Sequence, residues 1–409
     1  MYFREFKLNW VTLLGCCMGM ALGSAISHYT MSLMGPPMMK EFHWSKAQFA
    51  LIGSISLLAM PLIPLAGRFT DRYGPRLAAM VGFSAVPLGF IAYTQMTGSI
   101  VQFFMIYLLQ HVFGVLTTSM VFCRVIVERF DTARGVALSV LMSGPPLVGA
   151  IAAPLLAVLI RNEGWRAGWF ALAAVSAVGG IVAISLMGGT RRGPAKPKQE
   201  LHLSRAELFG LLGNRTFLLL LIGMILVNLP QVFASSQLKL VVMDNGVSDS
   251  LATWMVSLYA IGVIVGRFGC GFALDRISAH IVAIAALGLP AIGFLILASP
   301  VSAVWLLCGA VLVIGLAQGA EGDIGAFLIS RRFAMKNYSL LLSLLTTAIG
   351  LGAAIGSLFL SLTLHSYDSY TPFLLLAVGA TLIGAVLFFL IGKTPPQDIV
   401  PRPFAMDPS

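Results

Sequence analysis

Runs of about twenty apolar residues recur along this chain, and they restrict its fold more than any other feature. They fall at 10–33, 47–66, 77–96, 101–125, 136–160, 167–188, 216–238, 251–272, 278–298, 302–328, 339–363 and 371–392. Because backbone N–H and C=O groups cannot be left without partners in hydrocarbon, runs of this length must be membrane-crossing helices. The sequence therefore predicts an all-α membrane protein of about twelve transmembrane helices, here numbered spans 1 to 12.

The composition fits a protein whose surface faces lipid. Of the 409 residues, 58% are hydrophobic and only 10% are charged, whereas soluble domains carry about 25% charged residues. A net charge of +10 would suggest a nucleic-acid partner in a soluble protein, but here the positive charges lie in short loops between apolar runs. We therefore expect a lipid bilayer as the partner, and no nucleic acid.

Several other classes of protein are disfavoured. The five cysteines lie in or beside apolar runs without a Cys-x-x-Cys pair, so neither a metal site nor a disulfide framework is expected. The N-terminus leads directly into span 1 without a convincing cleavage site, which indicates an uncleaved first helix. The sequence has no His-Glu-x-x-His motif and no nucleophile elbow, which argues against a membrane-embedded enzyme.

The distribution of lysine and arginine predicts the orientation, since cytoplasmic loops carry an excess of both. If the N-terminus is inside, the cytoplasmic loops carry Arg72, Arg76, Arg129, Arg134, Arg276, Arg331, Arg332 and Lys336. The opposite loops carry Lys40, Lys46, Arg161 and Arg166, interspersed with Glu41, Glu163, Asp244, Asp249 and Asp368. We expect both termini in the cytoplasm, and the low charge and short linker suit a bacterial inner (plasma) membrane.

The chain divides into two similar halves. A basic, proline-containing stretch at 190–215 separates six spans at 1–189 from six at 216–392, and a tail follows at 393–409. The sequence G-R-F-T-D-R at 67–72, after span 2, is echoed by G-F-A-L-D-R at 271–276, after span 8. An Arg-Phe pair follows both span 4 and span 10 at nearly the same offset. Two six-helix halves around a midplane site are typical of secondary transporters.

Two sets of motifs resemble a known family. The ten residues G-R-F-T-D-R-Y-G-P-R at 67–76 resemble the loop 2–3 signature of the major facilitator superfamily. E-F-H-W-S at 41–45, Arg134-Gly135 and G-W-R at 164–166 resemble the monocarboxylate carriers and the oxalate–formate antiporters within it. The resemblance implies the major facilitator fold, with two pseudo-symmetric six-helix halves that rock around a central site to give alternating access.

The resemblance also implies a cytoplasmic gate. Its candidate residues are Gly67, Asp71, Arg72, Arg76, Arg134, Asp275 and Arg276. Gly67 would let two helices approach closely, and Asp71 would lie at the N-terminus of span 11 or pair with Arg134. The alternative is that the arginines only anchor the topology.

Arg267 is the leading candidate for binding substrate. It lies eight residues before Asp275, hence about 12 Å from the cytoplasmic loop, which is deep for an arginine. The small residues Gly262 and Gly266 leave room beside it, and a guanidinium matches a carboxylate bidentately. Both related carrier families use an arginine at the matching place in span 8. The alternative is a side chain that extends back to the cytoplasmic interface.

Glu321 and Asp323 of span 10 are candidates for proton coupling. Glu321 lies about 15 Å from Arg331, near the midplane, and depth favours it over Asp323. Residues two apart on a helix point about 200° apart, so only one of the two carboxylates can face a central cavity. The alternative is a structural role as partner of Arg267, Arg124 or a helix end.

The remaining polar residues within spans are weaker candidates. Arg124 and Tyr259 are further candidates for contact with substrate, as are Asn228 and Gln231, which flank Pro230 in span 7. Arg124 is as well explained by reaching for the cytoplasmic interface. His28 and His111 could carry protons, although an isolated intramembrane histidine is more often a hydrogen-bonded structural residue.

Two departures from the related families narrow the expected substrate. The animal monocarboxylate carriers have an aspartate where this chain has Val263, which turns attention to span 10 for the proton site. The oxalate–formate antiporter has a lysine in span 11, whereas residues 338–364 contain no Lys or Arg. One deep arginine neutralises a monoanion more easily than a dianion.

These observations predict a monomeric, proton-coupled symporter of a small monocarboxylate, with no cofactor other than the proton gradient. An anion exchanger, a proton-driven exporter and a non-transporting receptor of the same fold are the alternatives.

Overall fold

The computed structural model describes residues 2–130, 133–188, 213–274, 276–333 and 338–393, and every regular element in these ranges is helical. Span 1 comprises Tyr2–Leu22 and Ala25–Phe42, span 2 comprises Lys46–Ala50, Ile52–Ala59, Met60–Leu62 and Ile63–Tyr73, and span 3 is Pro75–Thr94. Span 4 comprises Ile100–Gly114, Val115–Thr117 and Ser119–Arg129, span 5 is Arg134–Glu163, and span 6 is Trp165–Leu186. Span 7 comprises Arg215–Asn228, Phe233–Gln237 and Leu238–Asp244, span 8 is Asp249–Leu274, and span 9 comprises Ala279–Gly288 and Pro290–Ala298. Spans 10 to 12 are Val304–Arg332, Tyr338–Tyr367 and Thr371–Lys393.

The prediction of an all-helical membrane protein is confirmed. Eleven of the described helices or helix pairs are long and apolar enough to cross a membrane. Span 2 becomes the twelfth if its two segments, which meet at 52°, count as one span. The predicted linker at 190–215 lies outside the described residues except at its last three positions, and so does the tail after Lys393.

Helix contacts repeat from one half to the other with a shift of six spans. Span 1 packs against spans 5 and 6, and span 7 packs against spans 11 and 12. Span 3 contacts spans 4 and 6 as span 9 contacts spans 10 and 12, and span 2 contacts span 4 as span 8 contacts span 10. This pattern is the pseudo-symmetry that the two D-R motifs predicted.

The halves meet through spans 2 and 11, spans 5 and 8, and spans 1 and 7. Several side-chain contacts join them near the end that the loop charges predict to be extracellular, called here the outer end. The Lys46 ammonium lies 2.7 Å from the Asp244 carboxylate. In span 11, Ser361 donates to the carbonyl of Ala47 at 2.8 Å, and Ser357 donates to the carbonyl of Ala50. These contacts close the outer end in this structure.

The family-like motifs at the outer end of the first half bind each other. The Glu41 carboxylate accepts hydrogen bonds from the Trp165 indole at 2.6 Å and from Arg166 at 2.7 Å. Trp44 donates to the carbonyl of Gly98 at 2.8 Å, and Ser45 caps the first turn of span 2. The E-F-H-W-S and G-W-R motifs therefore connect span 1 to spans 2, 3 and 6 at the outer end.

Glycines bring spans 8 and 10 into backbone contact. A Cβ atom on Gly262 would lie 2.7 Å from the carbonyl oxygen of Leu312, and one on Gly319 would lie 2.8 Å from the backbone nitrogen of Arg267. Small residues of this kind allow close approach of membrane helices. The packing fixes the backbone of Arg267 directly against the span that carries Glu321 and Asp323.

Gly67 does not make the close approach that the sequence predicted. A Cβ atom there would meet Met120 Sδ at 3.8 Å, which is an ordinary van der Waals distance. Close approach of helix backbones occurs elsewhere, between spans 8 and 10 and also between spans 7 and 11, where a Cβ atom on Gly352 would clash with the carbonyl oxygen of Ile225.

Candidate substrate site

Arg267 faces Asp323 across the contact between spans 8 and 10. Arg267 Nε lies 4.0 Å from Asp323 Oδ2, which is an ion pair without a hydrogen bond. The Arg267 side chain is 21% exposed and that of Asp323 is 41% exposed. Arg267 Nε is buried and has no hydrogen-bond partner among the described residues. The guanidinium therefore has hydrogen-bonding capacity that the described protein groups do not use.

Arg267 also faces the other half of the protein. Tyr29 of span 1 and Cys123 of span 4 both lie within electrostatic range of its guanidinium. Tyr29 packs near Tyr259, with ring centroids 6.4 Å apart. Arg267 therefore lies near the contact between the two halves, and its role in binding substrate stays a prediction.

Glu321 points away from this interface into the second half. Its side chain is 7% exposed and accepts a 2.6 Å hydrogen bond from the Gln318 amide. It borders a small cavity of about 20 Å³ that Gln231, Pro230 and Thr381 also line, room for about one water molecule. The depth argument favoured Glu321, but the structure places Asp323 4.0 Å from Arg267, whereas Glu321 lines the small cavity on another face of span 10, as the angle of about 200° requires. Glu321 is nevertheless still within electrostatic range of Arg267.

A larger cavity of about 230 Å³ lies between the halves on the side of spans 1, 2, 4 and 7. Most of its lining residues have polar side chains, among them both candidate histidines, although apolar atoms supply the larger part of its surface. The lining residues are Ser24, Ala25, Ser27, His28, Met31, Ile52, Gly53, Tyr107, Gln110, His111, Ser235 and Ser236. The serines and Tyr107 were missed by the sequence analysis, because single hydroxyl groups within apolar runs give no distinctive signal.

The polar residues of span 7 are divided between the two cavities. Asn228 is buried, donates to the carbonyl of Met224 at 3.0 Å, and has an Oδ1 atom without a partner in the described structure. Gln231 lines the small cavity beside Glu321. After the helix break at Pro230, a π-helical turn at Phe233–Gln237 presents Ser235 and Ser236 to the larger cavity. Residues at the break therefore line the small cavity through Gln231, and residues that follow it line the larger cavity.

Tyr259 lies deep in the contact between the halves. Its side chain is buried, and its hydroxyl has no hydrogen-bond partner within the part of the chain that the structure describes. It is about two turns outward of Arg267 on the same span. A buried hydroxyl without a partner costs free energy unless a ligand or water satisfies it, which suits a wall residue of a binding site.

Arg124 occupies a different place from the one expected of a substrate ligand. Its NH1 atom pairs with Asp71 Oδ1, and its Nε lies 3.1 Å from Glu128 Oε1. Asp71 is therefore paired with Arg124, whereas Arg134 donates to the carbonyls of Phe130 and Val127. Two carboxylates already neutralise Arg124, so we no longer count it as a substrate ligand.

The other gating candidates lie at the end of the molecule that the loop charges predict to be cytoplasmic. Arg72 and Arg76 are exposed, and the Arg72 guanidinium lies over the Tyr73 ring at 5.3 Å. Arg276 stacks on Phe272 at 3.4 Å from the ring centroid. Asp275 lies outside the described residues, as do residues 334–337 just before span 11, so the expected contact of Asp71 with that helix end is a prediction still.

Comparison with known proteins gives one consistent family. A model described as Major Facilitator Superfamily matches residues 12–243 and 231–408. Monocarboxylate transporter 4 of the mouse is 28% identical over 282 residues, which cover 64% of this chain and 57% of that protein. The chain thus matches little more than half the length of this relative.

Solved structures of transporters share the fold at low identity. A nucleoside transporter is 14% identical with a TM-score of 0.74, covering 93% of this chain and 99% of that one. A D-xylose–proton symporter is 16% identical with a TM-score of 0.68, covering 95% and 97%. These likenesses establish the fold alone, because carriers of quite different substrates are among them.

Proposed function

The chain belongs to the major facilitator superfamily of transporters, and we propose that it carries a small organic monocarboxylate together with a proton by alternating access. We place it in a bacterial inner membrane, with both termini in the cytoplasm, as a monomer. Its mouse relative is named a monocarboxylate transporter, which supports a carboxylate as the substrate.

One observation supports the anion most strongly: the incompletely paired guanidinium of Arg267 between the halves. Its Nε is buried without a hydrogen bond, and its carboxylate neighbour Asp323 stands 4.0 Å away. A charge within a membrane protein is costly unless a partner neutralises it. A substrate carboxylate could bind the guanidinium bidentately and supply the missing bonds.

Asp323 would couple this binding to a proton. While Asp323 is ionised, it neutralises Arg267 and competes with the substrate. Once it is protonated, Arg267 carries an uncompensated positive charge that a substrate carboxylate can neutralise. The empty carrier with ionised Asp323 and the loaded carrier with protonated Asp323 therefore have the same net charge at this site.

Carriers that hold only the proton or only the substrate would have one unbalanced charge at the site. Burying that charge during rocking is unfavourable by several kcal/mol, so these half-loaded forms would cross rarely. Proton and substrate therefore move together in the same direction. Span 10 supplies the coupling acid where the related carriers use span 8, whose corresponding residue here is Val263.

Proton movement in vesicles that contain the purified protein would test this function. Small monocarboxylates are added outside, and external pH is followed for wild type, Arg267→Ala, Asp323→Asn and Glu321→Gln. We expect external alkalinisation in wild type, little change in Glu321→Gln, and loss in Arg267→Ala and Asp323→Asn. Substrate flux in wild type without proton movement would instead support a uniporter or anion exchanger. Undiminished alkalinisation in Arg267→Ala would contradict the anion site itself.

A further inference from the structure

Two imidazoles face the larger cavity from different spans. The His28 ring packs edge-on against Tyr29 at 5.0 Å, and the His111 ring stacks on Tyr107 at 5.8 Å. Both histidines line the cavity, and neither imidazole has a hydrogen-bond partner among the residues that the structure describes. Their rings are fixed by aromatic neighbours while their nitrogen atoms are left for whatever occupies the cavity.

Other lining residues also have polar atoms that are available for hydrogen bonds. Ser27 Oγ is buried without a hydrogen-bond partner in the described structure. Gln110 uses its amide Nε2 on the carbonyl of Val86 at 3.2 Å, which leaves its Oε1 as an acceptor. Ser235 and Ser236 both donate to the carbonyl of Val232, so their oxygens also present acceptors. The wall thus offers hydrogen-bond donors and acceptors in several directions.

The cavity wall carries no fixed charge. None of its described lining residues is Lys, Arg, Asp or Glu. A neutral imidazole provides one donor and one acceptor, which suits hydroxyl or carbonyl groups better than an anion. Its volume of about 230 Å³ is more than ten times that of the small cavity beside Glu321.

Tyr29 connects this cavity to the arginine site. It follows His28 in span 1, and its ring packs against that of His28 with centroids 5.0 Å apart. On its other side, its ring centroid lies 6.4 Å from that of Tyr259, which is about two turns outward of Arg267 on span 8. Tyr29 therefore packs between a residue that lines the cavity and the span that carries Arg267. A substrate with its carboxylate on Arg267 can direct the rest of its structure past Tyr29 toward the histidines.

We propose that the His28–His111 cavity binds the uncharged polar part of the substrate, and that the transported acids carry hydroxyl or carbonyl groups remote from the carboxylate. Sugar acids are the chemical class that fits best. The inference rests on the proposed anion site at Arg267 and deepens it by naming the substrate class. His28 and His111 then determine specificity through hydrogen bonds and act as neutral groups.

A comparison of the binding of two acids distinguishes the histidine cavity from the arginine site. Purified full-length protein in lipid nanodiscs is titrated with gluconate and with hexanoate, which have the same carbon number and differ in their hydroxyl groups. Wild type should bind gluconate more tightly, by about tenfold or more, because hexanoate leaves the lining groups without partners. The variants are His111→Phe and His28→Phe, which keep an aromatic ring, and His111→Gln, which keeps hydrogen bonding.

In both phenylalanine variants we expect the gluconate-to-hexanoate preference to fall by about tenfold, mainly through weaker gluconate binding. His111→Gln should restore most of the preference, which a purely structural role would not require. Arg267→Ala should weaken both acids alike. Thermal unfolding of each variant, measured alongside, distinguishes a lost contact from a lost fold.

Three outcomes would overturn the inference. A wild-type preference for hexanoate would show that the cavity does not select hydroxyl groups. An unchanged preference in both phenylalanine variants, with both acids still dependent on Arg267, would remove the histidines from the substrate site and leave the proposed function intact. His111-dependent binding of the neutral alcohol xylitol, without binding of either acid, would contradict the anion site and with it the sugar-acid class.

Discussion

The two halves of the protein carry different kinds of polar group within the membrane. The second half holds the charges, with Arg267 and Asp323 at the interface and Glu321 behind span 10. The first half faces the larger cavity with neutral groups, chiefly His28, His111 and serine hydroxyls. The second half can therefore bind the carboxylate of a substrate while the first half forms hydrogen bonds with the rest of the substrate. A substrate that bonds to both halves would draw them together, which is what alternating access requires.

A second comparison concerns the two arginine–aspartate pairs. Arg124 and Asp71 pair at the cytoplasmic rim, where the Asp71 side chain is 71% exposed. Arg267 and Asp323 pair deeper, with the arginine only 21% exposed. Water screens the first pair, so it contributes about 0–1 kcal/mol. In the second pair Asp323 is 41% exposed and Arg267 is the more shielded partner, so we expect the larger consequence from a change at Arg267.

The largest expected effect follows loss of the deep arginine. Arg267→Ala should weaken binding of a transported acid by about 2–5 kcal/mol, which is about 30-fold to several thousandfold. The reason is that the carboxylate loses its only deep cationic partner in the proposed site. Equilibrium binding to purified protein measures this loss, and Arg161→Ala, an exposed arginine at the outer end, is the matched control. Equal affinities in the two variants would contradict the comparison between deep and exposed arginines.

The next effect separates the two acids of span 10. Asp323→Asn should abolish pH-driven accumulation of substrate, because a permanently neutral side chain cannot release a proton. Exchange of internal for external substrate should persist, since the loaded form can still cross. Glu321→Gln should retain both activities in the same vesicle assay. Loss of accumulation in Glu321→Gln alone would instead assign coupling to the small cavity behind span 10.

A smaller effect is expected at the outer end. Lys46→Ala removes an ion pair that joins the halves, so outward-open forms should become more populated, by up to about fivefold. To measure this, Ser235→Cys is introduced into a protein whose native cysteines are replaced. Its labelling by a membrane-impermeant thiol reagent should become faster by up to about the same factor when Lys46→Ala is added. Lys40→Ala, which changes an exposed lysine at the same end, provides the comparison. No acceleration would mean that this contact does not hold the outer end closed.

The smallest effect should follow from the exposed pair. Arg124→Ala should change substrate affinity by less than about threefold, because a screened rim contact contributes little. Binding to purified protein, measured as for Arg267→Ala, gives the two numbers on one scale. A loss as large as that of Arg267→Ala would restore Arg124 as a substrate ligand, contrary to its pairing with Asp71 and Glu128.

Features that depend on chain periodicity were predictable from sequence. The length of each apolar run gave the spans, the repeated D-R motif gave the pseudo-symmetry, and Gly262 and Gly266 indicated close packing around Arg267. The angle between Glu321 and Asp323 was also predicted. Which of the two faces Arg267 was not, because that depends on the rotation of span 10 against span 8.

Features that depend on helix breaks were not predictable. The 3₁₀ turn at Val115–Thr117 interrupts span 4 before Arg124. The position of Arg124 near the end of the span was predictable from its distance to Arg129, but its partners Asp71 and Glu128 were not. The π-helical turn after Pro230 brings Ser235 and Ser236 to the cavity, whereas the sequence pointed to Asn228 and Gln231. Such breaks redirect side chains by angles that a regular helical period does not describe.

The exchange of partners at Arg267 is the central claim, and substrate affinity measured across pH tests it most directly. In wild type, affinity should rise as pH falls, because protonation of Asp323 removes the carboxylate that competes for Arg267. In Asp323→Asn, affinity should be high and independent of pH in the range where the substrate itself is ionised. If Asp323→Asn instead keeps the wild-type pH dependence, Asp323 is not the competing group and the proposed coupling is wrong.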